Sequence, residues 1–534
     1  MATGGDEPED GLGPEVVPSL NRGELQARAL SGARWTLVHT LVAVGLGFGV
    51  NILLARVLGV VDFGRIAYLT TVITIAGVIA ELGLGMAVVQ FGTRAQALGD
   101  SGVVRSVLSK SQGFRLLVIA PVVTVAVLAV VRVDPLLLAL ALVFGVWLNA
   151  ALSGTQAALT IENKTAQLAK NAMVVNLLTQ VAVVVAALTT RDADPVWISR
   201  VTVGALGVAL ALPYVSRGYR RAVLRPALPR AFPAGFWKYA VPAGIASILG
   251  NLIVSRTEVA FLTWSGDAAA AGLFALAFGL AVHVFSPAQA LVGPLIPAVS
   301  GLRAVDEGSL GRALRRTLRA SATVTALLVA GGLAPFALLV EPIYGPEYAN
   351  AAPALVALGL GAAVATVGSP LIAFIQARLA GGAILKLNVA AVVVNLALIV
   401  LLLPTLGLWG AVIANLAGVL VRNVLLLVTE SRDARVGMSS ALGDVAPIVL
   451  AGSVCVLVYA AGRAVAVTLA ASTLELVLTA VVTSAVGLVL YALALRGLRL
   501  GLTGADAAAL EAGLSPRLRR PLATALAVVA HRRD

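Results

Sequence analysis

Long apolar runs alternate with short polar or Pro/Gly breaks along nearly the whole chain. A membrane-crossing helix needs about 20 mostly apolar residues. Fourteen runs meet or approach that length: 35–55, 64–90, 113–132, 135–158, 171–189, 195–215, 240–264, 269–299, 320–341, 352–375, 384–404, 405–428, 445–462 and 474–496. Pro404 and Gly407 mark a tight turn inside the stretch 384–428 and divide it into two spans. The pattern predicts an all-α integral membrane protein of about 14 transmembrane helices.

Composition agrees and removes the soluble classes. Of 534 residues, 59% are hydrophobic and 12% charged, with a mean hydropathy of +0.96. Soluble domains carry roughly twice that charged fraction. The one cysteine, Cys455, sits in an apolar run, so no intrachain disulfide forms. The net charge of +13 reads first as membrane topology. With the N-terminus placed in the cytoplasm and sides alternated, all but seven Lys and Arg fall at cytoplasmic ends. The seven are Arg56, Arg65, Arg132, Arg191, Arg200, Arg256 and Arg463. That bias is the positive-inside rule, and fourteen spans return the C-terminus to the cytoplasm. Residues 1–20 are acidic and rich in Pro and Gly, which predicts a disordered cytoplasmic tail rather than a signal peptide. The apolar run 521–530 lies between basic clusters and is too short to span, so it reads as an interfacial helix.

The chain also repeats itself. Span 1 leads through Asp62 and Gly64 into an apolar helix, and span 7 leads through Asp267 and Gly272 into another. Spans 5 and 11 share a Lys (Lys170, Lys386) followed by Val-Val-Asn at 174–176 and 393–395. These echoes predict two six-helix lobes related by a parallel pseudo-two-fold repeat around a central cleft, plus two C-terminal helices. The corresponding segments are a tail 1–30, an N-lobe 31–216, a basic linker 217–231, a C-lobe 232–430, spans 13 and 14 at 431–498, and a cytoplasmic tail 499–534.

Spans 1 and 2 read LLARVLGVVDFGRIAYLTTVITIAGVIAELGLGMAVVQFG. The second half carries AGLFALAFGLAVHVFSPAQALVGPLIPAVSGL, RALRRTLRAS, EPIYGPEYANAAPALVALGLG and VVVNLALIVLLLPTLGLWGAVIANLAG. In order and spacing these resemble the polysaccharide flippases of the multidrug/oligosaccharidyl-lipid/polysaccharide (MOP) exporter superfamily, over about residues 30–430. The resemblance implies alternating access in a bacterial plasma membrane, with a polyprenyl-linked saccharide as cargo. It also implies contact with membrane lipids, and with envelope polymerases or glycosyltransferases as candidate protein partners. Two further cargoes stay open within the superfamily: lipid II, and a drug or cation exchanged by an antiporter.

Chemistry for other classes is missing from the sequence. No Gly-Lys dipeptide occurs, so there is no P-loop. His39, His283 and His531 have no metal-ligand spacing, and no G-x-S-x-G elbow appears. The reading is therefore a non-enzyme with no cofactor, no metal and no nucleic-acid partner. A membrane glycosyltransferase or polymerase, and a non-transporting envelope scaffold, are the readings from other classes.

Ionisable residues inside spans are costly and mark functional positions. Arg34 and His39 start span 1. They stand about 140° apart around a helix. Arg34 either meets a lipid phosphate or snorkels to headgroups, and His39 titrates, binds sugar or hydrogen-bonds internally. Arg56 ends span 1; it forms a cationic rim for a diphosphate, or Asp62 pairs with Arg56 or Arg65. Glu81 lies well inside span 2, as a proton- or cation-coupling acid, a sugar-hydroxyl acceptor or a packing ion pair; Gly83 and Gly85 beside it read as close-packing glycines rather than a hinge. Asn251, Ser255 and Glu258 share one face of span 7, with Arg256 on the opposite side. His283 stands in span 8, ahead of Pro287, Pro294 and Pro297. Asn149, Gln156, Asn171, Asn176, Asn388, Asn395 and Asn415 read as interhelical hydrogen-bonders.

Overall fold

The computed structural model describes residues 22–131, 133–254, 257–289, 299, 307–377, 381–468 and 472–507. These form helices, with no strand among the described residues. In chain order they are α1 (Arg22–Glu81), α2 (Leu84–Ala97), α3 (Ser101–Ala129), α4 (Pro135–Ile161), α5 (Thr165–Thr190), α6 (Ala193–Ala209), α7 (Arg217–Leu224) and α8 (Phe236–Val254). They continue as α9 (Thr257–Trp264), α10 (Ala268–Gln289), α11 (Leu310–Leu338), α12 (Ala351–Ala377), α13 (Gly381–Leu406), α14 (Leu408–Asp433), α15 (Met438–Thr468) and α16 (Thr473–Gly497).

Local chemistry sets the boundaries. Asp100 caps α3 by accepting from the Val103 amide at 2.9 Å. Asp134 caps α4, with Pro135 in the first turn where its missing N–H costs nothing. Ser472 and Glu475 make a reciprocal capping box at the start of α16. Between α13 and α14 the reversal takes a single residue, Gly407, at φ 51°, so the turn expected there is present.

Twelve helical stretches among the described residues are long and apolar enough to cross a membrane. Fourteen spans were expected, and the difference arises in two places. Spans 1 and 2 form one stretch, Arg34–Gln96, of 63 residues. No loop separates them. Helix α1 runs through residues 56–63 and turns only at Gly59, whose φ of 74° and ψ of 176° are outside the helical region. Span 7 falls on α8 and α9, and residues 255 and 256 between them lie outside the described residues, so this span is not among the twelve stretches counted over the described residues.

A second correction concerns Gly83. The expected span 64–90 is interrupted: Leu82 (φ 39°) and Gly83 (φ 71°) both take left-handed conformations between α1 and α2. This glycine ends a helix and starts another instead of serving only as a packing contact. The interfacial helix expected at 521–530 and the tail 1–20 lie outside the described residues.

The chain divides into two compact units, each discontinuous in sequence. Unit 1 comprises residues 1–46, 83–179 and 200–240, and unit 2 comprises residues 47–82, 180–199 and 241–534. In unit 1, the Gln112 side chain ties α3 to α4. Its amide donates to the Ala150 carbonyl at 3.0 Å, and its oxygen accepts from the Gly154 amide at 3.2 Å. Phe232, Phe236 and Trp237 stack with one another and with Phe91 and Phe114.

Unit 2 holds the larger core, where Leu314, Leu318, Leu371, Phe374, Ile375 and Leu426 knit α11, α12 and α14. At the basic end of α11, Arg315 and Arg319 bind Asp444 of α15, and Arg316 and Arg319 bind Asp506 beyond α16. Burying two carboxylates is tolerated because each meets two guanidinium groups.

Candidate functional site

Two arrangements of polar side chains stand out, one in each unit. In unit 2, Glu258 on the first turn of α9 is fully buried, with 0% exposure. Its Oε1 accepts two hydrogen bonds, from Asn395 Nδ2 of α13 at 2.8 Å and from Asn415 Nδ2 of α14 at 2.9 Å. Its Oε2 is buried and has no hydrogen-bond partner among the described residues. Gly418 of α14 lets α13 approach, since a Cβ there would meet Asn395 Cβ at 3.0 Å. The two asparagines were expected to bond between helices, and they do, with the carboxylate as their common acceptor. An ionised carboxylate with one oxygen unsatisfied in an apolar interior is expensive. The site therefore favours either a neutral acid, with the proton on Oε2, or a small cation held there. Among the described residues no group of three or more His, Cys, Asp or Glu is placed to hold a metal.

Also in unit 2, the residues around the Gly59 kink pack on later helices. Arg56 Nε donates to the Ile343 carbonyl at 2.6 Å, and Nη2 donates to the Pro342 carbonyl. Its guanidinium thus caps the end of the short helix Val340–Tyr344. The Tyr348 hydroxyl donates to the Ala55 carbonyl at 3.4 Å, and its ring meets Phe63 edge-on. Trp264 Nε1 donates to Tyr68 Oη at 3.2 Å. The expected pairing of Asp62 with Arg56 or Arg65 gives way to another. Arg65 forms a bidentate pair with Asp194, at 2.7 and 2.8 Å. Asp194 stands 129 residues away in sequence, and no local pattern announces it.

In unit 1, His39 lines a cavity of about 300 Å³ together with Gln156, Asn171, Asn176 and Thr179. Arg34, five residues earlier on α1, is exposed.

The other expected residues are placed as follows. Glu81 lies within the stretch Arg34–Gln96 as the last residue of α1, and its side chain is exposed. The Leu82–Gly83 break follows it directly. Asn251 lies on α8, but its side chain is outside the described residues, as are Ser255 and Arg256. The stripe expected on span 7 is therefore represented by Glu258 alone. His283 is half-buried on α10, and its Nδ1 bonds the Gly279 carbonyl one turn earlier, at 2.5 Å. This is the internal hydrogen bond of an interior histidine.

Comparison with known proteins follows the same lines. A family model described as "Polysaccharide biosynthesis protein" matches residues 53–353, a segment that includes Arg56, Glu81, Glu258 and His283. No curated protein matches the chain. Among solved structures, the lipid II flippase MurJ in an inward closed conformation is similar, with a TM-score of 0.62 and 13% identity, over 87% of this chain and 99% of that one. A mutant of the Vibrio cholerae MATE transporter VcmN has a TM-score of 0.51 and 16% identity, over 77% of this chain and 98% of its own. An inward-facing MATE family transporter of the MOP superfamily gives the same figures. At these identities the structural likenesses establish the fold. The family model covers more than half of the sequence, and the chain belongs to the polysaccharide biosynthesis protein family, on an all-helical fold similar to those of MurJ and the MATE transporter VcmN.

Proposed function

We propose that this chain is a secondary transporter that moves a polyprenyl-diphosphate-linked oligosaccharide from the cytoplasmic to the external leaflet of a bacterial plasma membrane. The family match over residues 53–353 carries this reading, because it favours a saccharide cargo over a drug or cation. The lipid tail stays in or beside the bilayer, while the saccharide and diphosphate cross through a hydrated cleft between two six-span halves that rock about it. Arg34 and Arg56 supply positive charge for the diphosphate, and external polymerisation draws the cargo onward. The charge bias of the connecting segments supports cytoplasmic N- and C-termini.

Coupling follows from Glu258. A carboxylate with an unpartnered buried oxygen changes its interactions when it takes or releases a proton or a sodium ion, and such a change biases a two-state protein. Glu258, rather than the exposed Glu81, is the coupling acid of this reading.

The test is a strain lacking the chain. Polyprenyl-linked saccharides are profiled, and their leaflet is read with a membrane-impermeant sugar probe. Accumulation in the cytoplasmic leaflet, reversed by wild type but not by Glu258→Ala, supports the transport reading and names the cargo. An unchanged leaflet distribution, with altered sensitivity to cationic compounds, overturns it in favour of an antiporter.

A further inference from the structure

We propose that the cavity of unit 1 is a receptor for a single uncharged sugar ring. This rests on the saccharide-transport reading above for the class of ligand, and on the cavity itself for the site. Its volume of about 300 Å³ is at the small end of the ~300–1,000 Å³ range of ligand sites. That suits one pyranose. The polar lining is uncharged apart from the imidazole of His39, with Gln156, Asn171, Asn176 and Thr179 completing it. Among the described residues no carboxylate lines it to attract a cationic drug, and no arginine or lysine to hold a diphosphate. Carboxamides suit vicinal hydroxyls, because each offers both a donor and an acceptor to groups that are themselves both.

One atom asks for such a partner. Asn176 Oδ1 is buried and accepts no hydrogen bond among the described residues. A buried carbonyl oxygen left without a donor is unfavourable, and a ligand hydroxyl that reaches it removes that cost. The neighbouring Asn171 is held in place, its Nδ2 donating to the Gly207 carbonyl at 3.4 Å. Leu168 and Val208 give the cavity apolar walls against which the C–H face of a ring packs.

The backbone makes the room. Helices α5 and α6 touch where Gly207 receives Val175; a Cβ at Gly207 would lie 2.2 Å from a Val175 methyl. One turn away, a Cβ at Gly204 would meet nothing within 4 Å. Gly204 lines the cavity, so a side chain there projects into it without a clash.

Two variants of the full chain in lipid nanodiscs test the assignment. Asn176→Leu removes the acceptor at similar volume. Gly204→Leu fills the space and leaves every polar group in place. The probes are methyl glycosides of glucose, galactose, mannose and N-acetylglucosamine, which do not partition into lipid, read by saturation-transfer NMR. Circular dichroism and gel filtration confirm that each variant is folded. At least one glycoside is expected to receive saturation from wild type, with the signal falling at least fivefold in both variants. Saturation that persists in Gly204→Leu overturns the proposal, as does a wild type that saturates none of the four while still moving saccharide-lipid in the leaflet assay; the transport reading then stands without this site. Conversely, binding lost in Gly204→Leu supports the sugar site even where the leaflet assay shows no transport.

Discussion

Gly64 and Gly272 lie directly against each other in unit 2. A Cβ on Gly64 would sit 2.8 Å from the Gly272 nitrogen and 2.3 Å from the Ala268 carbonyl oxygen, and a Cβ on Gly272 would sit 2.1 Å from the Val60 carbonyl oxygen. Each glycine follows a short segment with one aspartate, Asp62 or Asp267, and leads into an apolar helix. Together the two glycines bring two backbones into contact.

That contact predicts a graded response. The atoms facing Gly64 are backbone and have no rotamer to escape into. Gly64→Val is expected to destabilise the protein by roughly 1–3 kcal/mol, as overpacking does. Gly45→Ala, on the same helix α1, meets nothing within 4 Å and is expected to leave the melting temperature unchanged or to raise it slightly, since Ala is the better helix former. Thermal unfolding of the two variants beside wild type decides; equal melting temperatures would remove the packing role.

Arg56 offers a separate test of geometry against charge. Its Nε and Nη2 reach two successive carbonyls, those of Ile343 and Pro342. A lysine keeps the charge but cannot span both acceptors with a fixed fork. Arg56→Ala is expected to lower the melting temperature, with a cost of about 1–2 kcal/mol for hydrogen bonds from a charged, exposed donor. Arg56→Lys is expected to recover less than half of that loss. Full recovery by lysine would show that charge alone matters at this position.

The sequence made much of this fold legible, and its failures have local causes. Spans 3 to 6 and 8 to 14 are bounded by charged residues, caps or Pro/Gly pairs, so their helices fall near the expected positions. The break at Leu82–Gly83 was not legible because the apolar run continues through it, and hydropathy does not register φ. The direct passage of span 1 into span 2 was hidden for the opposite reason: Arg56, Asp62 and Arg65 suggest a loop, yet each finds its place on a helix that turns only at Gly59. In the candidate site, Glu258 was legible as a charge in a span. Its partners Asn395 and Asn415 were legible only as polar residues, because 137 and 157 intervening positions separate them from it.

Glu258 yields a prediction that separates structure from coupling. Glutamine matches the shape of a neutral glutamic acid and still accepts from Asn395 and Asn415 through its amide oxygen. Glu258→Gln is expected to fold with a melting temperature near that of wild type. It is also expected to abolish the dependence of saccharide-lipid movement on pH or sodium. Asn395→Leu removes one donor from a buried acceptor and is expected to cost about 1–3 kcal/mol. Transport by Glu258→Gln that keeps the wild-type ion dependence would exclude this residue from coupling.

Asp506 lies outside the membrane-spanning helices, and its titration is the clearest pH prediction. Burial alone would raise its pKa, but hydrogen bonds from Arg319 and Thr503, with the charge of Arg319, outweigh that and hold it down at about 2. The unfolded value is about 3.9. A depressed folded value means that the contribution is fully present above the unfolded pKa and is lost as pH falls through the folded one. The segment 503–507 is therefore expected to stay docked on α11 at pH 5 and to release between about pH 4 and pH 2. Asp506→Asn, which keeps the shape but not the charge, is expected to show the released behaviour already at pH 7. Proteolytic cleavage after Leu500, followed against pH for both proteins, reads the release directly. Cleavage of wild type that is as fast at pH 5 as at pH 2 would show that the Arg316–Asp506–Arg319 cluster does not hold this segment.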